Sequence, residues 1–300
     1  MTKVAIGVYG LQQWFDGDFA AVLDLVRRAD ERGIDQVTLT DHVVMGEHTE
    51  NYPYGPFPAP LDYPWYEPIT FLAAVAGVTK TIRLSAGVLI APLRPAVLLA
   101  KQLATLDVMS RGRVEIGLGL GWQKEEYDAS GVPWEGRYTR LEEQVRVCKL
   151  LWTEAPVSFD GTTVALDKIH QYPRPVQKGG VPIWFGIAPT EKNFARIAEL
   201  GHGWIPMEQR PEKLAPHIAS LRAAFKAAGR DPASVAVRAI PQAAFKPDGA
   251  PDLDRTLANV PALTEVGVTM IELLPIMFCR GPADFDSFLD RMVQLRRNGK

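Results

Sequence analysis

The chain has 300 residues, of which 47% are hydrophobic, 23% charged and 9% aromatic, with a formal net charge of −2. This balance supplies a large apolar core and offers no basic block, which argues against a nucleic-acid partner or an anionic membrane surface. No apolar run approaches the ~20 residues of a membrane-spanning helix, and the start of the chain leads into strand without a signal-peptide pattern. Cys148 and Cys279 lack metal-like spacing, so we expect reduced thiols in a cytoplasmic protein.

The first strand is expected at Val4–Tyr9. After Trp14 and Phe15, Asp18 caps a helix that runs through Val22, Leu25, Val26 and Ala29 and ends at Gly33. A second strand, Gln36–Thr40, runs into Asp41-His42. The stretch Met45–Tyr66, containing NYPYGPFPAPLDYPWY, is too long and too aromatic for an idle connector; loops of this kind are usually lids or binding walls. A helix at Glu67–Thr79 leads to an apolar strand at Arg83–Ile90. Val97, Leu98, Leu99, Leu103, Leu106 and Met109 then recur at helical spacing behind Pro95. Ser110–Arg113 turns the chain into a strand at Val114–Leu118, which completes a parallel βαβ unit.

Beyond Trp122, Glu125 and Glu126 are expected on the solvated face of a short helix, and a long helix covers Arg137–Trp152. Residues 153–180 form an insertion with β-like pieces at Val157–Phe159 and Thr163–Leu166. Further strands follow at Pro182–Phe185, Trp204–Pro206, 235–240 and Val268–Leu274, alternating with helices at Thr190–Leu200, 211–228, 253–266 and 284–297. Eight β–α repeats without a dividing linker indicate one domain over residues 1–300, a single (β/α)8 TIM barrel with insertions after strands two and four. A Rossmann sheet is the alternative.

In such a barrel the chemistry belongs to the C-terminal ends of the strands. Gly117-Leu-Gly119-Leu-Gly121 lacks the dinucleotide spacing, since Trp122 stands where the last glycine would be. Its glycines either make a tight turn or let a flat ring approach the backbone. Asp41-His42 is the clearest polar pair; Asp41 could cap a helix, and an imidazole suits proton transfer. Gly186-Ile187-Ala188-Pro189-Thr190 precedes a helix and could bind an anion through backbone N–H groups, or Thr190 could act only as an N-cap. Trp14, Tyr52, Tyr54, Trp65 and Trp122 could wall a substrate pocket, and Arg94 and Arg280 could hold an anionic substrate. Glu272 ends the eighth strand without an evident partner. There is no zinc spacing, nucleophile elbow or P-loop, so no metal is expected.

The run VLIAPLRPAVLLAKQLATLDVMSRGRVEIGLGLGW resembles the signature region of the luciferase-like monooxygenase superfamily, especially its branch dependent on the deazaflavin F420. The resemblance continues in LTDHVV at 39–44, in GVPWEGRYTRLEEQVRVCKLLWTEAPVSFDG at 131–161 and in RPVQKGGVPIWFGIAPTEKNFARIAELGHGWIP at 174–206. It implies a bacterial-luciferase-like barrel with a non-prolyl cis peptide at Gly87-Val88 beneath the isoalloxazine. It further implies Asp41, Gly119, Leu120, Gly121, Gly186, Ile187, Ala188 and Thr190 around the cofactor, with His42 as proton donor. Lys178 and Lys192 would lie near an oligoglutamate tail. The expected activity is F420-dependent hydride transfer to or from a small organic substrate by a homodimer. The alternatives are a two-component FMN monooxygenase served by a separate reductase and a non-catalytic flavin-binding barrel. Two departures stand out. Leu120 replaces a phosphate-binding arginine of the FMN enzymes, and Trp122 replaces an acid found in some relatives, a role that Glu125 or Glu126 could take although a solvated helix face explains both more simply.

Overall fold

The computed structural model describes residues 2–298. Its parallel strands are Lys3–Gly7, Gln36–Leu39, Arg83–Ala86, Leu89–Ile90, Ile116–Gly119, Ile183–Gly186, Gly203–Trp204, Ala236–Ala239 and Met270–Leu273. These nine stretches share one sheet, whose two ends are Arg83–Ala86 and Leu89–Ile90. Those two are halves of a single strand, so the nine stretches fill eight barrel positions. A parallel bridge from Leu84 to Val114 closes the ring. Closure removes the free edges that a Rossmann sheet would keep, and the (β/α)8 reading stands.

The strands are apolar on both faces because one face meets the barrel interior and the other the outer helices. Val4, Ile6, Val37, Leu84, Ile116, Ile183, Val237 and Ile271 are all fully buried. Local signals set the helix boundaries. The Asp18 carboxylate accepts from Ala20 and Ala21 to start the helix Phe19–Glu31. Glu67, expected as the first helical residue, is instead the cap of Pro68–Val78 and accepts from the Thr70 N–H. The expected helix at 253–266 is two, Leu253–Ala258 and Val260–Glu265, because Pro261 has no N–H to continue the first. A strand pair at 244–245 and 251–252 and a short helix at Pro275–Phe278 gave no sequence signal.

The expected third strand, 83–90, is interrupted at Gly87-Val88, where the peptide bond is cis. The helix Ala96–Met109 then crosses to the fourth strand. The second insertion carries an antiparallel hairpin, Val157–Asp160 with Ala165–Ile169. Its turn is held by Glu143 of the helix Arg137–Thr153, whose carboxylate accepts from the backbone N–H and hydroxyl groups of Thr162 and Thr163.

Inside the barrel a polar network crosses four strands. The Arg238 side chain is fully buried, pairs through Nε with Glu272 at 2.9 Å and donates to Gln36, Ser85 and the Ala86 carbonyl. Glu272 also accepts from the Thr38 hydroxyl. Glu272 therefore has a partner, contrary to expectation, and that partner is the buried cation Arg238. Cys148 and Cys279 are buried free thiols, and burial pushes both up to about 12.

Candidate active site

The floor of the site is the broken third strand. Ideal Cβ atoms built at Gly119, Gly186 and Gly117 would meet the Val88 methyl groups at 2.4, 2.7 and 3.3 Å. These glycines thus make room for the Val88 side chain, which sinks toward the neighbouring strands. The expectation that glycine 119 admits a flat ring directly is corrected here: the space above its Cα belongs to Val88. The Gly87-Val88 peptide itself stays half-buried at the barrel mouth, so a peptide plane lies there with its side chain tucked beneath it.

The candidate for proton transfer stands at the end of the second strand. His42 is buried, and its Nδ1 lies 3.0 Å from the Glu126 carboxylate. The other Glu126 oxygen accepts from the Val43 backbone N–H at 2.9 Å. Where Glu126 is the acceptor, Nδ1–H is the donor of this pair, and Nε2 is left to accept a proton from a neutral ring or to donate one from a charged ring. Glu126 is 1% exposed. The solvated-face expectation for it is wrong, because the short helix Lys124–Ala129 turns that residue inward beneath His42. A glutamate absent directly after the glycines is thus present five residues after Gly121.

Asp41 points elsewhere. Its carboxylate accepts from the Ile90 N–H at 2.7 Å and from both terminal nitrogens of Arg94 at 2.7 and 3.1 Å. Arg94 donates further to the Ile90 carbonyl and to Glu67. Burial opposes the Arg94 charge, but Asp41 and Glu67 outweigh it and raise its pKa above the ordinary value. Arg94 is therefore a brace for the chain leaving the third strand. Arg280 is exposed and pairs with Asp284.

Aromatic rings enclose the site. Trp65, Phe57 and Trp122 meet the His42 ring edge-on at 4.6, 5.8 and 6.1 Å between centroids. Tyr52 packs on Trp122 and Phe57, while Tyr9 stacks on Tyr63 and Tyr63 lies tilted against Trp65. Tyr54 is a loop tip, exposed, one ring further out against Tyr52. Trp14 is not brought to this cluster and packs against Phe285. Tyr9, Phe57 and Tyr63 were not among the residues anticipated; for Phe57 and Tyr63 the available signal was the aromatic richness of the loop 52–66. Two clips fasten this loop. Gln123 exchanges a pair of hydrogen bonds with the Gly46 peptide, at 2.8 and 3.0 Å. The Tyr63 hydroxyl accepts from the Gly10 N–H and from Gln12, both at 2.7 Å. Burial holds the Tyr63 phenol at about 12, so it remains protonated.

On the far side of the mouth, Gly186 and Ile187 lead to Ala188 and Thr190, both exposed. Thr190 caps the helix Glu191–Leu200 by accepting from Asn193, whose side-chain amide in turn donates to the Ala188 carbonyl. Leu120 is buried, and its carbonyl accepts from Tyr127. Gly121 has φ +67°, a left-handed turn that releases the chain toward Trp122. Among the described residues no cluster of three or more His, Cys, Asp or Glu side chains could hold a metal ion. No described helix is long and apolar enough to cross a membrane.

Residues 3–251 match the family model described as luciferase-like monooxygenase. An uncharacterized protein of Mycobacterium tuberculosis is 38% identical over 165 residues, 55% of this chain and 58% of that protein. The chain thus spans under two thirds of that relative's length. An F420-dependent glucose-6-phosphate dehydrogenase of Amycolatopsis mediterranei is 32% identical over 202 residues, 64% of this chain and 56% of that one. An FMNH2-dependent dimethylsulfone monooxygenase of Pseudomonas putida is 36% identical over 124 residues, 40% of this chain and 34% of that one. An F420-dependent secondary alcohol dehydrogenase has the same fold, with TM-score 0.75 and 19% identity over 98% of both chains. DmoA of Hyphomicrobium sulfonivorans has it too, with TM-score 0.74 and 14% identity over 100% of this chain and 89% of that one.

Proposed function

The chain belongs to the luciferase-like monooxygenase family, and from that premise we propose that it is an F420-dependent oxidoreductase acting on a small organic molecule. The observation that carries this reading is the buried His42–Glu126 pair, set beside the Gly87-Val88 peptide at the same barrel mouth.

The residues present fit a flat tricyclic cofactor. Val88 is sunk over three glycines, so a bare peptide plane is available to a ring system. Gly87, Val88, Gly119 and Gly121 would form the floor, and the exposed turn at Ala188–Thr190 ahead of a helix would take the phosphate. Bound there, a reduced deazaflavin supplies a hydride. The protein's own share is orientation and a proton. Glu126 holds His42 by Nδ1, which fixes the ring and leaves Nε2 to give or take a proton at the substrate. The rings of Phe57, Trp65 and Trp122 exclude water from that nitrogen. Support for the deazaflavin over FMN comes from Leu120, where the FMN enzymes carry an arginine, and from the longer match to the F420-dependent relative.

We also propose a homodimer. The helix Ala96–Met109 leaves Val97, Leu98, Val108 and Met109 exposed on its outer side, a run of apolar surface suited to a second copy.

The test is separate fluorescence titration of the purified protein with F420 and with FMN at fixed salt. Micromolar or tighter F420 binding with weak FMN binding supports the reading. The reverse preference assigns the monooxygenase chemistry, served by a separate reductase, and binding of neither overturns both.

A further inference from the structure

Parallel strands pass their carbonyls to the neighbouring strand in evenly spaced rungs. Between the third and fourth barrel strands the Leu84 N–H donates to the Arg113 carbonyl, and the Glu115 N–H to the Leu84 carbonyl. The next acceptor in that row is the Ala86 carbonyl, and no described backbone N–H donates to it across the gap. Pairing resumes only at Leu89 with Leu118. Ala86 is fully buried, and a buried carbonyl needs a partner.

That partner comes from across the barrel. Nη2 of Arg238 donates to the Ala86 carbonyl at 3.1 Å. Nη1 donates to the Ser85 hydroxyl at 3.0 Å, and this hydroxyl donates to the same carbonyl at 3.2 Å. Two glycines clear the path. A Cβ at Gly117 would collide with the Ala86 oxygen, and one at Gly87 would stand 3.1 Å from Nη2. The carbonyl so held belongs to the residue directly before the Gly87-Val88 floor.

The same cation is tied to the strand that delivers His42. Nη1 donates to Gln36, and Glu272, which faces Nε at 2.9 Å, accepts from the Thr38 hydroxyl. Gln36 and Thr38 both lie on the second strand. One rigid planar fork therefore grips two strands, one bearing the floor and the other the imidazole. For stability alone, an apolar pair of similar volume would serve as well or better.

We infer that Arg238 is a positioning residue of the active site, which sets the Gly87-Val88 floor against His42 by holding the Ala86 carbonyl and the second strand together. It acts from beneath the floor, through the backbone. This rests on the reading of the barrel mouth as a flavin or deazaflavin site.

The experiment compares the wild type with Arg238→Lys and with the uncharged double variant Arg238→Met, Glu272→Leu. Lysine keeps the charge but lacks the fork that reaches Ala86, Ser85 and Gln36 together. The double variant fills the space without a buried charge. For each protein the urea midpoint is measured, F420 and FMN are titrated separately, and the visible circular dichroism of the bound ring is taken at saturation. In both variants the Kd of the cofactor that the wild type binds should rise about tenfold or more, the worth of one hydrogen bond to a charged group. The visible band should change shape, while the urea midpoint of the double variant stays close to that of the wild type. A merely structural pair gives the opposite split, with wild-type affinity and an unchanged band wherever the fold is kept. That outcome in either variant overturns the inference, and loss of the fold in one leaves the other to decide. A wild type that binds neither cofactor sinks the reading of the mouth itself, an outcome seen on the unmutated chain before any variant is made.

Discussion

Nδ1 of His42 and a carboxylate oxygen of Glu126 lie 3.0 Å apart across 84 positions of sequence. The bond joins the end of the second strand to a short helix after the fourth, and it decides which imidazole nitrogen remains for chemistry. If that pair handles the proton, removing the imidazole should cost rate without costing cofactor affinity. His42→Ala should lower kcat by about 10²–10⁴-fold with the cofactor Kd unchanged within about twofold. Glu126→Gln replaces one acceptor by a donor, so either Nδ1–H or the Val43 N–H loses its partner. It should lower kcat about tenfold or more and shift the pH profile of turnover. An unchanged kcat in His42→Ala would sink the assignment.

Val88 and Gly119 should couple. A methyl at position 119 would overlap Val88 Cγ2 at 2.4 Å, and overpacking of this kind costs about 1–3 kcal/mol. Gly119→Ala should therefore lower the urea midpoint and weaken cofactor binding together. Adding Val88→Ala should recover part of both losses, since contacting sites are not additive. Additive losses in the double variant would mean that the floor is not built as described.

The buried pair under that floor predicts a different asymmetry. Arg238 is fully buried and Glu272 nearly so; burial lowers the Arg238 pKa against the opposing pull of Glu272 and Glu115. Glu272→Ala leaves an uncompensated guanidinium and should cost about 3–5 kcal/mol. Arg238→Met with Glu272→Leu removes both charges and should cost less, as read from denaturant melts. Equal losses would argue against a desolvation penalty.

Glu143 gives a pH signature. Burial raises its pKa, but hydrogen bonds from Thr163 and Thr162 more than offset this and bring it to about 2, against an ordinary 4.5. The folded pKa is the lower one, so the unfolded chain binds more protons between these values and stability falls with pH through that window. The Tm difference between the wild type and Glu143→Gln should be complete above pH 5 and shrink toward pH 2. A difference that grows on acidification would contradict the hairpin clamp.

The exposed apolar side of Ala96–Met109 makes the oligomeric state testable. Leu98→Glu combined with Met109→Glu should halve the mass measured by light scattering, while the fold is retained by circular dichroism. A wild-type chain that is already monomeric at micromolar concentration would remove the homodimer proposal.

The barrel was legible because its strands are short and apolar, and some of its helices announce themselves with a cap such as Asp18 or Thr190. His42 was legible as a polar residue at a strand end. Glu126 was not, because a six-residue helix with three acidic residues reads as a wet surface and only the fold shows which one turns inward. The true role of Gly119 and Gly186 was hidden for the same reason: a glycine shows that room is needed, while what fills it, here Val88, comes from another strand. Asp41 and Arg94 looked like separate site residues, yet 53 positions of sequence separate two halves of one brace.

The two clips at Gly46 and Tyr63 have a bearing on how this barrel can diversify. They pin residues 47–62 at both ends, to Gln123 on one side and to Gly10 and Gln12 on the other. Closing a loop costs only about 0.6 kcal/mol for each doubling of its length, and here the closure is borne by the anchors and not by the sequence between them. Apart from Tyr52 and Phe57, which pack on Trp122 and His42, insertions, deletions and exchanged side chains between residues 47 and 62 can therefore accumulate at little thermodynamic cost while His42, Glu126 and the Gly87-Val88 floor stay where they are. A library confined to that interval, with Gly46, Tyr63, Gln12 and Gln123 held constant, is the natural route to new substrate ranges on this scaffold.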